Sequence, residues 1–511
     1  MTARSFFRSR PWRVMRWAGL AMAVPALWAC NSRSLEAPVI TPSRTFMGTF
    51  QETLNRKIDI LFMIDNSSSM QESQANLQAN FPRFMDVLKA LPDGLPDVHI
   101  AVISSDMAIG NDQIPGCSAA GGDNGVFKST PGASTLNTCT ATGLNADAHY
   151  ITSTGGQNPQ NNFTGDITQV FQCIAPIGAT GCGFEQQLRA VARALGADGF
   201  MPPAENQGFL RPDAYLGIIL ITNEDDCSAA NTSFYDVADR RLSTALGTEF
   251  RCNEFGHLCN GMPPSRLSPN GQVTDMVNYS PMNGPDNCVS AETSGQLIPV
   301  STFGAAIKSL KPLDPAGQIL VASIQGPTIP YTVNWKTPAV TTDGPWPWIA
   351  HSCMHPTDNS FADPGVRMQQ FVHEFGGNGL SYSICEQNFG PALTTIAMKL
   401  SQLIGPKCIV GNLWDKDPAT GGIQPDCAVV DHTPNASGTG TVDMPVPACA
   451  DNGNSPPCFT VRPKTMAENC PTGSSVVDIN RGTVMPPPNL RNSVSCSICI
   501  AGLTDPDHGC P

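Results

Sequence analysis

Three oxygen-bearing side chains alternate along Asp65-Asn66-Ser67-Ser68-Ser69: one carboxylate at 65 and hydroxyls at 67 and 69. Oxygen donors of this kind are hard ligands. A set with so little charge suits Mg²⁺, or Mn²⁺, keeping some of its own water. The run Ile58-Asp59-Ile60-Leu61-Phe62-Met63-Ile64 precedes them, short and apolar enough for a strand buried on both faces. In open α/β sheets ligands gather beyond the carboxyl ends of strands, which is where these residues fall. Taken alone, Asp and Ser ahead of a helix also read as N-caps.

Two further stretches carry comparable chemistry. Gly178-Ala179-Thr180-Gly181-Cys182-Gly183-Phe184-Glu185 leads into an amphipathic helix marked by Phe184, Leu188, Val191 and Leu195. Glu185 there is either a reaching ligand or a first-turn acid favoured by the helix dipole. The apolar run Tyr215–Ile221 ends in Thr222-Asn223-Glu224-Asp225-Asp226-Cys227. That acid cluster reads as a solvated turn or as a set drawn toward Ca²⁺, which takes more oxygens than Mg²⁺.

Strands must alternate with helices to bring such turns together. Met70, Leu77, Phe81, Phe84, Leu88 and Leu91 recur at helical spacing, and Pro92-Asp93-Gly94 stops that helix. Val98–Ile103 and Ile319–Ile324 are further buried strands, His149-Tyr150-Ile151 a short one and Leu380–Ile384 an edge strand. Helices are expected at Phe303–Leu310, around Met368, Phe371, Val372 and Phe375, and around Phe389, Leu393, Ile396, Leu400 and Leu403. This order gives a doubly wound, mostly parallel sheet over 57–404. Insertions near 106–180, 228–300 and 327–365 decorate it.

Asp-x-Ser-x-Ser at a strand end resembles the metal-ion-dependent adhesion site of the von Willebrand factor A family. The resemblance covers 57–404 and rests mainly on Asp65–Ser69. It implies that Asp65, Ser67 and Ser69 bind a divalent cation directly or through water, with Thr180 from the second turn. From the third turn it implies Asn223 in the usual acidic position, or Asp225 one alternation further on. It also implies that a partner supplies an acidic oxygen to an undercompensated metal. If the second and third turns frame one metal, Cys182 and Cys227 come close enough to bridge, with Cys173–Cys182 the alternative.

Both ends of the chain are distinct from this core. Residues 1–29 form a positive segment with Arg4, Arg8, Arg10, Arg13 and Arg16, followed by an apolar run from Trp17 to Trp28. The run is short for a bilayer span. Leu27-Trp28-Ala29-Cys30 resembles a bacterial lipobox and implies acylation at Cys30, with 30–56 as tether. Asn31 after the cysteine favours the outer membrane. Residues 405–511 are rich in Pro, Gly and Asn and hold eight of the 19 cysteines, as expected for a small disulfide-stapled β module. The ten cysteines between Cys30 and this module are also even in number, so pairing can close within each region.

The chain has 511 residues, a formal net charge of −13 and only 14% charged residues. An acidic balance excludes a nucleic-acid face. His373-Glu374-Phe375-Gly376-Gly377 lacks the second histidine of a zinc-protease helix. Cys496-Ser497-Ile498-Cys499 has redox-motif spacing without the βαβ context. No nucleophile elbow, phosphate loop or dinucleotide fingerprint is present. The reading is therefore a non-enzymatic, lipid-anchored protein of a bacterial envelope, holding a protein or glycan partner through a divalent cation. The alternative is an assembly subunit in which the metal only orders loops.

Overall fold

The computed structural model describes residues 43–51, 56–91, 94–109, 117, 122–132, 137–156, 158–199, 201–235, 248–280, 288–312, 315–337, 344–404, 408–435, 441–464, 473–482, 490–500 and 504–510. Residues 1–29, Cys30, and the tether up to residue 42 lie outside them.

Apolar runs with no polar alternation can only be strands covered on both sides. The runs read from the sequence are such strands: β1 (Lys57–Ile64), β2 (Asp97–Ser104), β3 (Ile151–Ser153), β4 (Tyr215–Ile221), β5 (Ile319–Gln325) and β6 (Gly379–Ser383). They form one sheet in the order β6-β5-β4-β1-β2-β3. Every pairing is parallel except that of the short edge strand β3 with β2. All seven residues of β4 and of β5 are buried.

Helices cover both faces. On one side α1 (Gln71–Lys89), α2 (Ile167–Ile174) and α6 (Gly390–Ile404) pack onto Ile58, Ile60, Phe62 and Ile64. On the other, α3 (Gln187–Leu195), α4 (Val300–Ser309) and α5 (Val366–His373) pack onto Leu61, Met63, Leu216 and Leu220. Successive β1 side chains thus feed opposite cores, as strand geometry requires. The architecture is mixed α/β with a mostly parallel central sheet, as the sequence predicts.

Helix α2 is not foreseen in the sequence reading. Pro82 lies inside α1 and has no N–H to offer the carbonyl of Gln78. That carbonyl accepts instead from Gln172 Nε2 of α2 at 2.7 Å, and Gln78 Nε2 donates back to the Gln172 carbonyl at 2.8 Å. A helix carved from the first insertion therefore satisfies the group that the proline orphans.

The C-terminal region is β-rich and stapled. Strands Cys427–Pro434, Thr441–Val446 and Arg491–Cys499 form one sheet. Its other edge is the strand Ser43–Gln51, paired antiparallel with Arg491–Cys499 along its full length. Part of the expected tether is thus an edge strand of this sheet.

Among the described disulfides, Cys117–Cys182, Cys139–Cys173, Cys227–Cys252, Cys259–Cys288 and Cys353–Cys385 close within the first region. Cys427–Cys496, Cys449–Cys458 and Cys499–Cys510 close within the second. The expected Cys182–Cys227 bond does not form, nor does its alternative Cys173–Cys182. Each of Cys182 and Cys227 is tied into its own insertion. Cys496 and Cys499 bond elsewhere rather than to each other.

Candidate functional site

The site grows from the ends of β1 and β4. The Asp65 N–H donates to the Ile221 carbonyl at 2.9 Å, one step beyond the last paired residues Ile64 and Ile221. This carries Asp65 alongside Thr222, whose hydroxyl donates to Asp65 Oδ2 at 2.7 Å. The Thr222 oxygen accepts in turn from Gln187 Nε2 at 2.9 Å. Asp65 Oδ1 accepts from the Ser67 N–H at 2.7 Å and the Ser105 hydroxyl at 3.3 Å. Burial pushes the fully buried Asp65 carboxyl above its ordinary range, while the Ser67 amide and the Thr222, Ser67 and Ser105 side chains pull it back. The residue at the start of α1 is Met70, with no side-chain cap, so capping does not explain the serines.

The second turn is fastened to the first by a residue that the sequence reading passed over. Gln74 Nε2 donates to the Asp65 carbonyl at 2.9 Å and the Gly178 carbonyl at 2.7 Å, and Gln74 Oε1 accepts from the Gly178 N–H at 3.1 Å. The Gly181 N–H donates to the Asn66 carbonyl at 2.8 Å. A Cβ on Gly181 would stand 2.2 Å from Asn66 Oδ1, so any other residue here would displace the Asn66 amide. Thr180 lies on the same bend and is exposed. The Cys227 N–H donates to the Glu185 carbonyl at 2.8 Å, which joins the second turn to the third.

Ser67 and Ser69 bring their hydroxyl oxygens within 3.2 Å of each other. Asn223 Nδ2 donates to Ser69 Oγ at 2.9 Å and to the Phe361 carbonyl at 3.0 Å. Because that carbonyl can only accept, the orientation of the amide is fixed. Asn223 Oδ1 is left buried without a hydrogen-bond partner, and so is Asn66 Oδ1. Asp65, Ser67, Ser69 and Asn223 are therefore gathered by direct contacts, with Thr180 on the adjoining bend.

Asp225 is occupied elsewhere. Its Oδ2 accepts from His257 Nε2 at 2.7 Å and the Arg367 N–H at 2.8 Å, and its Oδ1 from the Met368 N–H at 3.0 Å and the Asp226 N–H at 2.9 Å. It holds the start of α5, and His257 leads the interactions that keep its carboxyl below the usual range despite burial. Asp226 pairs with the fully buried Arg367 at 2.9 Å and receives the Leu188 N–H at 3.0 Å. Four donors on Asp225 leave it no place in the cluster around Asp65.

Glu224 is the acid of this turn on which the charge of Asp65 acts. Its carboxyl is pushed well above the ordinary range, first by burial, then by the charge of Glu185 and a hydrogen bond to the Glu185 side chain. The charges of Asp65 and Asp363 add to this. Glu185 is 2% exposed. Asp363 enters from the third insertion: its N–H donates to the Asn223 carbonyl at 2.8 Å, and His351 Nδ1 lies 2.8 Å from its Oδ1. Among the described residues no three His, Cys, Asp or Glu side chains stand ready around one ion. Hydroxyl, amide and water oxygens would have to complete any coordination shell.

A second constellation lies on the C-terminal sheet. His432 places Nδ1 2.7 Å from Asp443 Oδ1 and Nε2 2.8 Å from Ser493 Oγ. The connectivity is that of an acyl-transfer triad. Ser493 lies in an interior strand, opposite Val430 on one side and Thr49 on the other. The ladders on both sides take up the backbone donors there. No described helix is long and apolar enough to cross a membrane.

No protein-family model matches the chain, and no curated protein matches it. Among solved structures it is similar to the pilus adhesin SpaC of Lactobacillus rhamnosus GG, at 9% identity and a TM-score of 0.28, over 91% of this chain and 42% of that one. An adhesive tip pilin of Group B Streptococcus agalactiae aligns at 11% identity and a TM-score of 0.28, over 90% and 82%. A von Willebrand factor type A protein of Catenulispora acidiphila aligns at 10% identity and a TM-score of 0.25, over 89% and 65%. The chain thus spans less than half of the first of these. Overlaps this low carry no family assignment, and the fold rests on the strand order given above.

Proposed function

We propose that this is a von Willebrand factor A-like binding protein of a bacterial envelope, anchored through Cys30, whose divalent-cation site helps to hold a protein or glycan partner. The supporting observation is the convergence of three turns on Asp65: Thr222 bonded to its carboxylate, Gly181 bonded to Asn66, and Asn223 bonded to Ser69. The donor set suits a hard cation. Asp65 already accepts three hydrogen bonds and would act through water, with Ser67 and Ser69 beside it and Thr180 on the adjoining bend. The unpartnered oxygens of Asn66 and Asn223 fit an ion better than they fit an apolar core, where each would cost about 1–3 kcal/mol. Asp225 has no part in this set. Catalysis is not proposed, because around Asp65 no described group is placed as a base toward an open substrate position.

The test is retention of envelope partners on the immobilised full chain in Mg²⁺, Ca²⁺ or EDTA, beside Asp65→Ala. A partner held in a cation, released by EDTA and absent from the variant supports the proposal. Retention indifferent to both refutes it. A second reading, that the cation only orders loops, draws on the extra acids Glu185 and Glu224. It expects EDTA to lower the melting temperature while partner retention stays unchanged.

A further inference from the structure

Two strands in succession connect Asp65 to the N-terminal side of the chain. The first, Ser43–Gln51, pairs antiparallel with Arg491–Cys499 through nine residues, Ser43 opposite Cys499 and Gln51 opposite Arg491. The second is β1, which leads straight into Asp65. It lies inside the central sheet, paired in parallel with β2 through eight residues and with β4 through seven. The Asp65 N–H on the Ile221 carbonyl extends the second of these ladders by one more bond. Any pull between the N-terminal side and Asp65 therefore runs along strands that are paired over their whole length.

Both junctions between the core and the C-terminal sheet fall at the end of the core away from Asp65. The parallel strands β1 and β4 start at Lys57 and Tyr215 and finish at the site. Helix α6 runs back between these two ends. At its start the Phe389 N–H donates to Asn76 Oδ1 of α1 at 3.0 Å, close behind the Asp65–Ser69 turn. Further along, Leu400 packs on Gly217, near the start of β4, where an added Cβ would stand 3.0 Å from Leu400 Cδ2. The helix thus ends, at Ile404, beside the strand starts. Three residues separate Ile404 from Cys408, and four separate Gln51 from Arg56. A chain spans at most about 3.3–3.6 Å per residue, so links this short hold the C-terminal sheet at the end opposite the site.

The geometry points to a mechanical function: Ser43–Asp65 is the tension member between the N-terminal anchor and the partner site, and the C-terminal sheet is the clamp on its anchor side. Ladder hydrogen bonds run across the strands, so a pull along a strand loads them together and a pull across its end loads them one by one. Tension toward the N-terminus acts at Ser43, and the core resists at Gln51, the opposite end of the nine-residue ladder. The same tension enters β1 at Lys57 and is resisted at Asp65, so the ladders with β2 and β4 share it. A pull on the C-terminus has the other geometry. Cys510 is bonded to Cys499, and Cys499 is paired with Ser43, so tension between the two chain ends opens the ladder pair by pair. This rests on the proposed partner site and Cys30 anchor, and it gives the C-terminal module a role within that reading.

The experiment is optical-tweezers pulling of the full chain in detergent, with DNA handles on azide-bearing residues that replace Ser34 and Glu72 in one protein and Ser34 and Pro511 in another. Glu72 is exposed on the first turn of α1, behind the site and outside its proposed ligands. Pulled through Ser34 and Pro511, the chain should first release Ser43–Gln51 at low force. Pulled through Ser34 and Glu72, it should hold to a first rupture at least about twofold higher in force, because whole ladders are loaded at once. An equal or lower first rupture through Ser34 and Glu72 overturns the inference. Both handles are covalent, so this result needs neither cation nor partner. Partner retention indifferent to EDTA would remove the partner reading and leave the force contrast standing, whereas a missing contrast beside EDTA-sensitive retention would remove only the mechanical function.

Discussion

Thr222 Oγ1 donates to Asp65 Oδ2 across 2.7 Å, joining the ends of two adjacent parallel strands. Both residues are fully buried, so the bond is among the few things holding a carboxylate there.

Thr222→Val removes the donor while keeping the shape. It should destabilise the chain by about 1–3 kcal/mol, the cost of leaving a buried acceptor short of a partner. Thr222→Ser should recover most of that loss. Urea unfolding of the two variants measures it, and equal stability for Val and Ser would show that the hydroxyl is idle.

Non-reducing peptide mapping should find Cys117 joined to Cys182 and Cys227 to Cys252. The first bond closes a separation of 65 residues, so replacing both of its cysteines with serine should cost up to about 4 kcal/mol by loop entropy. Because Gly181 touches Asn66, the same double variant should loosen the second turn and weaken cation binding. Peptides linking Cys182 to Cys227 would contradict this arrangement.

The contrast between that expected pairing and the observed one shows where sequence reasoning stops. Unbroken apolar runs such as Tyr215–Ile221 have a single solution, a strand buried on both faces, so the sheet was legible. Asp65, Ser67 and Ser69 were legible because they follow such a run directly. Which of the acids in Glu224-Asp225-Asp226 faces the site was not, because it depends on His257 and Arg367, which lie 32 and 141 residues away from their partners. Gln74 and Asp363 were missed for the same reason: an amide and an acid carry no signal until the chain returns to them. The strand Ser43–Gln51 was read as tether because its pairing partner lies more than 400 residues away, beyond any local signal.

Ser493 should not act as a nucleophile, although it completes a hydrogen-bonded chain with His432 and Asp443. An oxyanion needs aimed, uncommitted donors, and the strands on both sides of Ser493 pair with it. A fluorophosphonate probe is expected to leave it unlabelled, at the level of Ser493→Ala. Labelling that vanishes in His432→Ala would instead establish a second chemical centre.

At the other end of β1, Asp59 is fully buried beneath Arg211, which donates to Oδ1 through Nε at 2.8 Å and to Oδ2 through its N–H at 2.7 Å. Arg211→Met strands that acid and should cost about 3–5 kcal/mol at neutral pH. Burial raises Asp59 from 3.8 to about 6 against the pull of Arg211, so between those values the folded chain holds the extra proton and stability falls as pH rises. Burial and then Arg211 lower His99 from 6.5 to about 4, so over nearly the same window the unfolded chain holds the extra proton and stability rises with pH. The two slopes oppose, and wild type should be nearly flat from pH 4 to 6 as far as these groups are concerned. His99→Gln removes one slope and leaves the other. Its unfolding free energy should drop by on the order of 2–3 kcal/mol between pH 4 and 6 relative to wild type, since each tenfold change in proton affinity is worth about 1.4 kcal/mol. Denaturant titrations at half-unit pH intervals would reveal this divergence, and parallel profiles for the two proteins would mean that His99 binds its proton equally well in the folded and unfolded chains.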